Sequence, residues 1–153
     1  MDVAGCDRVP DGFYACTDGR IWPNLRGMKQ VLVIDDQATF RRAVSRILNR
    51  LGYVVHEAAD GESGLAELAA RPGMDLVLVD CRMPGITGFE VIAQLRRDRR
   101  IWQTKVIMVT ALDDGVASEL ALMAGADAFL SKPFTEPALV ALLDQVGLGR
   151  KVA

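Results

Sequence analysis

The sequence predicts an α/β fold: a doubly wound sheet of five parallel strands with five helices on its two faces. Three observations predict it. Short apolar runs recur at 31–34, 76–79 and 106–109, as in strands buried on both faces. Between them, apolar residues fall three and four apart, the period of a helix with one buried face. Strand and helix signals then alternate to the end of the chain, which implies right-handed crossovers and a parallel sheet.

The elements follow in order. Val31-Leu32-Val33-Ile34 forms the first strand. Phe40, Val44, Ile47, Leu48 and Leu51 line one face of the first helix, which Gly52 stops. Tyr53 to Glu57 is the second strand, and Gly61 to Ala70 a short helix ending before Arg71-Pro72-Gly73. Leu76-Val77-Leu78-Val79 is the third strand. After the Met83-Pro84-Gly85 turn, Phe89, Ile92 and Leu95 mark the third helix. Val106-Ile107-Met108-Val109 is the fourth strand; Val116, Leu120 and Met123 mark a fourth helix closed by Gly125. Ala128-Phe129-Leu130 is the fifth strand. Leu139, Leu142, Leu143 and Val146 mark the fifth helix, with Thr135 as its N-cap and Pro137 in its first turn.

These elements make one domain over residues 29–148, followed by a short tail at 149–153. Residues 1–28 look different. Gly5, Gly12, Gly19, Gly27, Pro10 and Pro23 interrupt them, and no apolar period runs through them. They are expected to form a poorly ordered extension, or to precede a true start at Met28. The alternative is a docking or redox arm built on Cys6, Cys16 and Trp22.

Composition narrows the chemistry. The chain has 153 residues, half of them hydrophobic and a quarter charged, as in ordinary globular proteins. No apolar run reaches the roughly 20 residues of a membrane span, and the first residues do not resemble a signal peptide. A net charge of −2 gives no drive toward nucleic acid. Three cysteines without zinc-like spacing suggest a reducing, cytoplasmic setting. The single histidine, His56, weakens Ser-His-Asp, Cys-His and multi-histidine metal chemistry, and is expected to be structural or exposed. Carboxylates must therefore carry the chemistry.

In open α/β sheets, ligands bind at the carboxyl ends of the strands. Here those ends hold Asp35-Asp36, Asp80, Thr110-Ala111 and Ser131-Lys132-Pro133. Three neighbouring acids repel one another unless a cation intervenes. Oxygen-only ligation suits Mg²⁺, Lys132 can add positive charge, and Thr110 can donate to an anionic oxygen. This set fits phosphoryl transfer to a carboxylate, where positioning and charge neutralisation do most of the catalysis.

With Asp35-Asp36, Asp80, Met83-Pro84-Gly85 and Gly88, Thr110, and Lys132-Pro133 in that order at those strand ends, Lys29 to Gly147 resembles the receiver domain of two-component response regulators. The resemblance implies a flavodoxin-like, CheY-like sheet of order 2-1-3-4-5. It implies that Asp80 accepts a phosphoryl group from a sensor histidine kinase or histidine phosphotransfer protein. Asp36, Asp35, Asp80 and the backbone carbonyl of Arg82 would bind Mg²⁺. Lys132 would contact the phosphoryl oxygens through a cis Lys132-Pro133 bond, and Ala111 would keep the entrance open. Thr110 and Phe129 would form the switch, although Phe129 also fits a plain core aromatic. Output would pass through the fourth helix, fifth strand and fifth helix to a protein target, from a monomer or a phosphorylation-dependent dimer; the alternative is a phosphorelay intermediate that passes the phosphoryl group onward. The domain would be a phosphoacceptor that stands alone, rather than an enzyme or a direct binder of nucleic acid.

Other residues carry smaller expectations. Asp35 and Asp36 could serve only as helix caps, and Cys81 fits a buried small hydrophobe. Arg41, Arg42, Arg46 and Arg50, with Arg96, Arg97, Arg99 and Arg100, fit a solvated charged face; those on the first helix could also steer an acidic partner. Arg82 occupies the place where a haloacid dehalogenase would carry its acid, which disfavours that phosphohydrolase. A binding module that works without phosphorylation is the other alternative. Leu112 is expected to block a water path and slow loss of the phosphoryl group.

Overall fold

The computed structural model describes the backbone of residues 6–9, 13–16, 21–23, 29–111 and 115–149, and the side chains of residues 29–111 and 118–149. Within the first 28 residues, β1 (Cys6–Val9), β2 (Phe13–Cys16) and β3 (Ile21–Pro23) pair as an antiparallel sheet in the order β1-β2-β3. The sequence predicts no regular element there. Strands of three or four residues hold at most two repeats of the strand period, too few to read.

The rest of the described chain alternates as expected. Its elements are β4 (Gln30–Ile34), α1 (Ala38–Arg50), β5 (Val54–Ala58), α2 (Gly61–Ala70), β6 (Leu76–Asp80), α3 (Gly88–Arg97), β7 (Lys105–Thr110), α4 (Gly115–Ala124), β8 (Ala128–Ser131) and α5 (Glu136–Gln145). The five strands are parallel and ordered β5-β4-β6-β7-β8, the predicted 2-1-3-4-5. Sheet order therefore reverses at β4, so that β4 and β6 lie side by side with their crossovers on opposite faces.

Strand alternation builds two cores. Leu32, Ile34, Val77, Val79, Val106 and Met108 face α2, α3 and α4. Val31, Val33, Leu76, Leu78, Ile107 and Val109 face α1 and α5, where Val44, Leu48, Leu139 and Leu143 meet them. All these strand side chains are buried, and each contributes about 1.5–3 kcal/mol of hydrophobic free energy. Period-two alternation is hidden in the sequence because both faces are apolar.

Local signals set the helix ends. The Thr135 hydroxyl accepts a hydrogen bond from the Ala138 N–H at 3.3 Å, capping α5 as predicted. Asp60 and Thr87 cap α2 and α3 in the same way. Gly52, at a φ of 95°, turns the chain out of α1 into β5, a backbone conformation that side chains disfavour. The Lys132-Pro133 bond is cis, as expected.

Arg96 corrects the expectation of a solvated arginine face. From the end of α3 it donates to the Gly125 carbonyl through Nε at 3.0 Å and Nη2 at 2.7 Å. It also donates to the carbonyls of Trp102 and Thr104, at 2.7 and 2.6 Å, and pairs with Asp127 at 2.9 Å. One guanidinium thus ties together α3, the entry to β7 and the turn between α4 and β8. Arg96→Ala should cost about 2–3 kcal/mol in a urea unfolding titration, because several acceptors lose a charged donor. Arg96→Lys should recover less than half of that, since an ammonium cannot reproduce the planar fork.

Candidate functional site

The site lies where β4, β6 and β7 end. Asp35 follows β4, Asp80 is the last residue of β6, and Thr110 is the last residue of β7. Each is buried. A parallel sheet with strands about 4.8 Å apart delivers these ends to one rim without further instruction. The carboxylates of Asp35, Asp36 and Asp80 offer oxygens within 4.8 Å of one another, with Asp36 the exposed member.

Asp35 divides its two oxygens. Oδ1 accepts the Gln37 N–H at 2.8 Å, closing the turn into α1. Oδ2 accepts from the Lys132 ammonium at 2.6 Å. The cap-only expectation thus describes one oxygen, and the site claims the other. The side chain of Gln37 makes no cap hydrogen bond of its own.

Lys132 sits 3.6 Å from Asp80 Oδ2 as well, so a single ammonium serves two buried acids. Its Nζ also lies 3.9 Å from the centroid of Phe40, whose ring meets Phe134 edge to face. The sequence marks Phe40 only as a core residue of α1. Its place against Lys132 depends on how β8 lies relative to α1, which no local pattern encodes. Lys132 is positioned in turn by its own N–H, which donates to the Thr110 carbonyl at 2.8 Å.

Burial pushes the Asp80 carboxyl above the usual aspartate range. The Lys132 charge opposes that, Asp35 and Asp36 add to it, and a hydrogen bond from the Arg82 backbone N–H lowers it again. Ionised Asp80 is thus held at some electrostatic cost. Gly88 lies behind it: a Cβ there would come within 2.3 Å of the Asp80 backbone oxygen. The Gly88 N–H donates to the Cys81 carbonyl at 3.0 Å, clamping the strand end against the start of α3.

The remaining expected residues fall around this cluster. Ala111 is exposed at the rim, and the Arg82 side chain is exposed on the following loop. Phe129 is half-buried on β8, opposite Met108 and packed against the core beneath α3 and α4. Cys81 is buried, as expected of a small hydrophobe. His56 is outside the cluster on β5, with its Nε2 at 3.1 Å from Gln30 Oε1; burial and Arg71 hold its pKa below the ordinary value, against a smaller pull from Glu67. Leu112 lies outside the described residues.

Arg41 is corrected as well. It donates to the Asp35 carbonyl at 2.7 Å and pairs with Glu57 at 3.2 Å, so it braces the site. Arg42 and Arg46 remain exposed on α1. Three carboxylates against one ammonium leave surplus negative charge, and the donors are all oxygen. Asp35, Asp36 and Asp80 therefore fit a hard divalent cation.

Comparison with known proteins identifies the family. The family described as "Response regulator receiver domain" matches residues 31–144. The sensory transduction protein RegX3 of Mycolicibacterium smegmatis is 34% identical over 119 residues, covering 78% of this chain and 50% of its own. The transcriptional regulatory protein AfsQ1 of Streptomyces coelicolor is 40% identical over 106 residues, covering 69% of this chain and 45% of its own. The chain thus spans about half the length of these curated relatives. Among solved structures, the chemotaxis protein CheY4 of Vibrio cholerae superposes with a TM-score of 0.73 at 33% identity, over 78% of this chain and 98% of its own. A receiver domain protein of Methanospirillum hungatei gives 0.70 at 30% identity, over 77% and 92%.

Two outcomes follow from the electrostatics and packing. Ionised Asp80 destabilises the fold, so Asp80→Asn should raise the thermal midpoint by a few degrees in metal-free buffer at pH 7. That gap should be full well above the raised folded-state pKa of Asp80 and should close as pH falls toward the ordinary value of 3.8. Separately, Gly88→Ala should cost about 2 kcal/mol in chemical unfolding, because the new methyl meets backbone that cannot move aside.

Proposed function

The chain belongs to the receiver-domain family of two-component response regulators, and from that premise we propose that it accepts a phosphoryl group on Asp80. The observation that carries the proposal is the placement of Asp80. It is a buried carboxylate at a strand end, raised in pKa, with Lys132 at 3.6 Å and two further acids beside it. An Asp80 oxygen would attack the phosphorus of a phosphohistidine on a sensor kinase or phosphotransfer protein. The new P–O bond forms as the P–N bond breaks, and the imidazole leaves and takes up a proton.

Asp35, Asp36 and Asp80, with the Arg82 carbonyl, would hold Mg²⁺, which when bound neutralises charge on the transferring group. The chain's own residues do the rest. Lys132 would exchange part of its contact with Asp35 for the phosphoryl oxygens. Thr110, buried at the end of the neighbouring strand, would donate its hydroxyl to the same group, and Ala111 would leave the approach open. The product is one acyl phosphate per chain, so the protein acts as an acceptor rather than a turnover enzyme.

The acyl phosphate would act as a switch. Withdrawal of Thr110 toward Asp80 vacates space beside β8, into which half-buried Phe129 would turn. Driving such an equilibrium nearly to completion takes about 5 kcal/mol of differential stabilisation. Output would be a change in protein binding at α4, β8 and α5. Leu120, Leu122 and Met123 of α4 support that reading, being 48%, 54% and 83% exposed. A cytoplasmic setting fits this role, and among the described residues no helix is long and apolar enough to cross a membrane.

The test is incubation with a small acyl phosphate donor and Mg²⁺, read by intact mass. One phosphoryl group should be added, and Asp80→Asn should abolish the addition. Lys132→Ala should slow it roughly 100-fold, the loss typical of removing one charge-stabilising donor. Failure of the wild type to take up phosphoryl under these conditions would overturn the proposal.

A further inference from the structure

The N-terminal sheet carries a juxtaposition that the receiver chemistry does not use. In the antiparallel pairing of β1 with β2, Cys6 stands directly opposite Cys16. They are the first residue of β1 and the last of β2, so they face each other at the open end of the hairpin. Directly opposed residues of an antiparallel pair have Cα atoms about 4.5 or 5.5 Å apart. Disulfides span Cα separations of about 4.4 to 6.8 Å. Register alone therefore brings these two positions within bridging range. The pairing of β2 with β3, through Phe13 with Pro23, Tyr14 with Trp22 and Ala15 with Ile21, fixes β2 from its other edge as well.

We propose that Cys6 and Cys16 form a reversible cross-strand disulfide, a redox modification site separate from Asp80. The third cysteine, Cys81, is buried in the receiver core at 4% exposure, which withholds it from exchange. The oxidant is a low-molecular-weight disulfide such as oxidised glutathione. One cysteine thiolate attacks it, forming a mixed disulfide and releasing one glutathione thiolate. The opposite cysteine thiolate then attacks the mixed disulfide at the protein sulfur and expels the second glutathione. Two protein thiols are oxidised to one disulfide, the glutathione disulfide is reduced to two thiols, and the two protons released by the protein thiols are taken up by the departing glutathione thiolates.

The full chain is equilibrated with oxidised glutathione, quenched in acid, alkylated under denaturing conditions and mapped by peptide mass. The expected product has lost two hydrogens, takes one alkyl group, on Cys81, and yields a Cys6–Cys16 linked peptide. A reducing agent should return three alkylation sites. Cys6→Ser should retain a glutathione adduct on Cys16, since no opposing thiol remains to expel it. Ala15→Pro, which removes a hydrogen-bond donor from the central strand, should lower the bridged fraction severalfold at the same glutathione ratio. Three alkylated cysteines after oxidation, a bridge that includes Cys81, or a bridged fraction unchanged by Ala15→Pro would each overturn the proposal. Phosphoryl uptake by Asp80 is measured in parallel and is expected to be the same in Cys6→Ser and wild type.

Discussion

The ammonium of Lys132 is the contact on which the site depends. Asp35 is almost fully buried, and a buried charge without a partner is among the most expensive features a fold can carry. Lys132 meets that demand at 2.6 Å and reaches toward Asp80 at 3.6 Å. Phe40 covers its other side with the negative face of a ring. The lysine is therefore held in a low-dielectric setting by three partners, none of which alone would keep it there. A new anion at Asp80 would compete for a cation that is already engaged. Such competition would couple a change at Asp80 to the start of α1, because Asp35 shares the lysine and also accepts the Gln37 N–H.

The rest of the fold serves that geometry. Asp35 and Asp80 leave adjacent parallel strands, and Lys132 comes just after β8, two strands away from β6. Its reach back across β7 is set by the hydrogen bond from its N–H to the Thr110 carbonyl. Gly88 lets α3 begin directly behind the Asp80 backbone, and its N–H holds the Cys81 carbonyl. Arg41 closes the opposite side by holding the Asp35 carbonyl. These restraints act on backbone as much as on side chains, and so leave little freedom in where the acids point.

Much of this was legible in the sequence, and the remainder shows why some was not. Element order and sheet topology follow from alternation and buried runs, because parallel crossovers admit few arrangements. Asp35, Asp36, Asp80, Thr110 and Lys132 were legible because strand ends converge by topology. Phe40 was not, since its contact with Lys132 crosses 92 positions of chain and depends on packing between α1 and the end of β8. Arg41 and Arg96 were misjudged for a related reason. An arginine that donates to backbone carbonyls has the same sequence context as one in solvent, because its acceptors carry no side-chain signature. The strands β1 to β3 were missed because they are too short to express a period.

The distribution of large apolar side chains bears on which helix can move. Helix α1 buries Val44 and Leu48, α3 buries Val91, Ile92 and Leu95, and α5 buries Leu139 and Leu143. Among its described side chains, α4 buries only Ala121 and turns Leu120, Leu122 and Met123 outward. Hydrophobic anchoring scales with apolar area removed from water, so a methyl holds a helix far less firmly than a pair of leucines. Thr110 ends β7, five residues before α4 begins. The outward leucines and methionine add a second bias, because a partner that covers them gains the burial that the domain itself forgoes. An apolar outer face and, among its described side chains, a single buried methyl both fall on α4, and both support the proposed output surface.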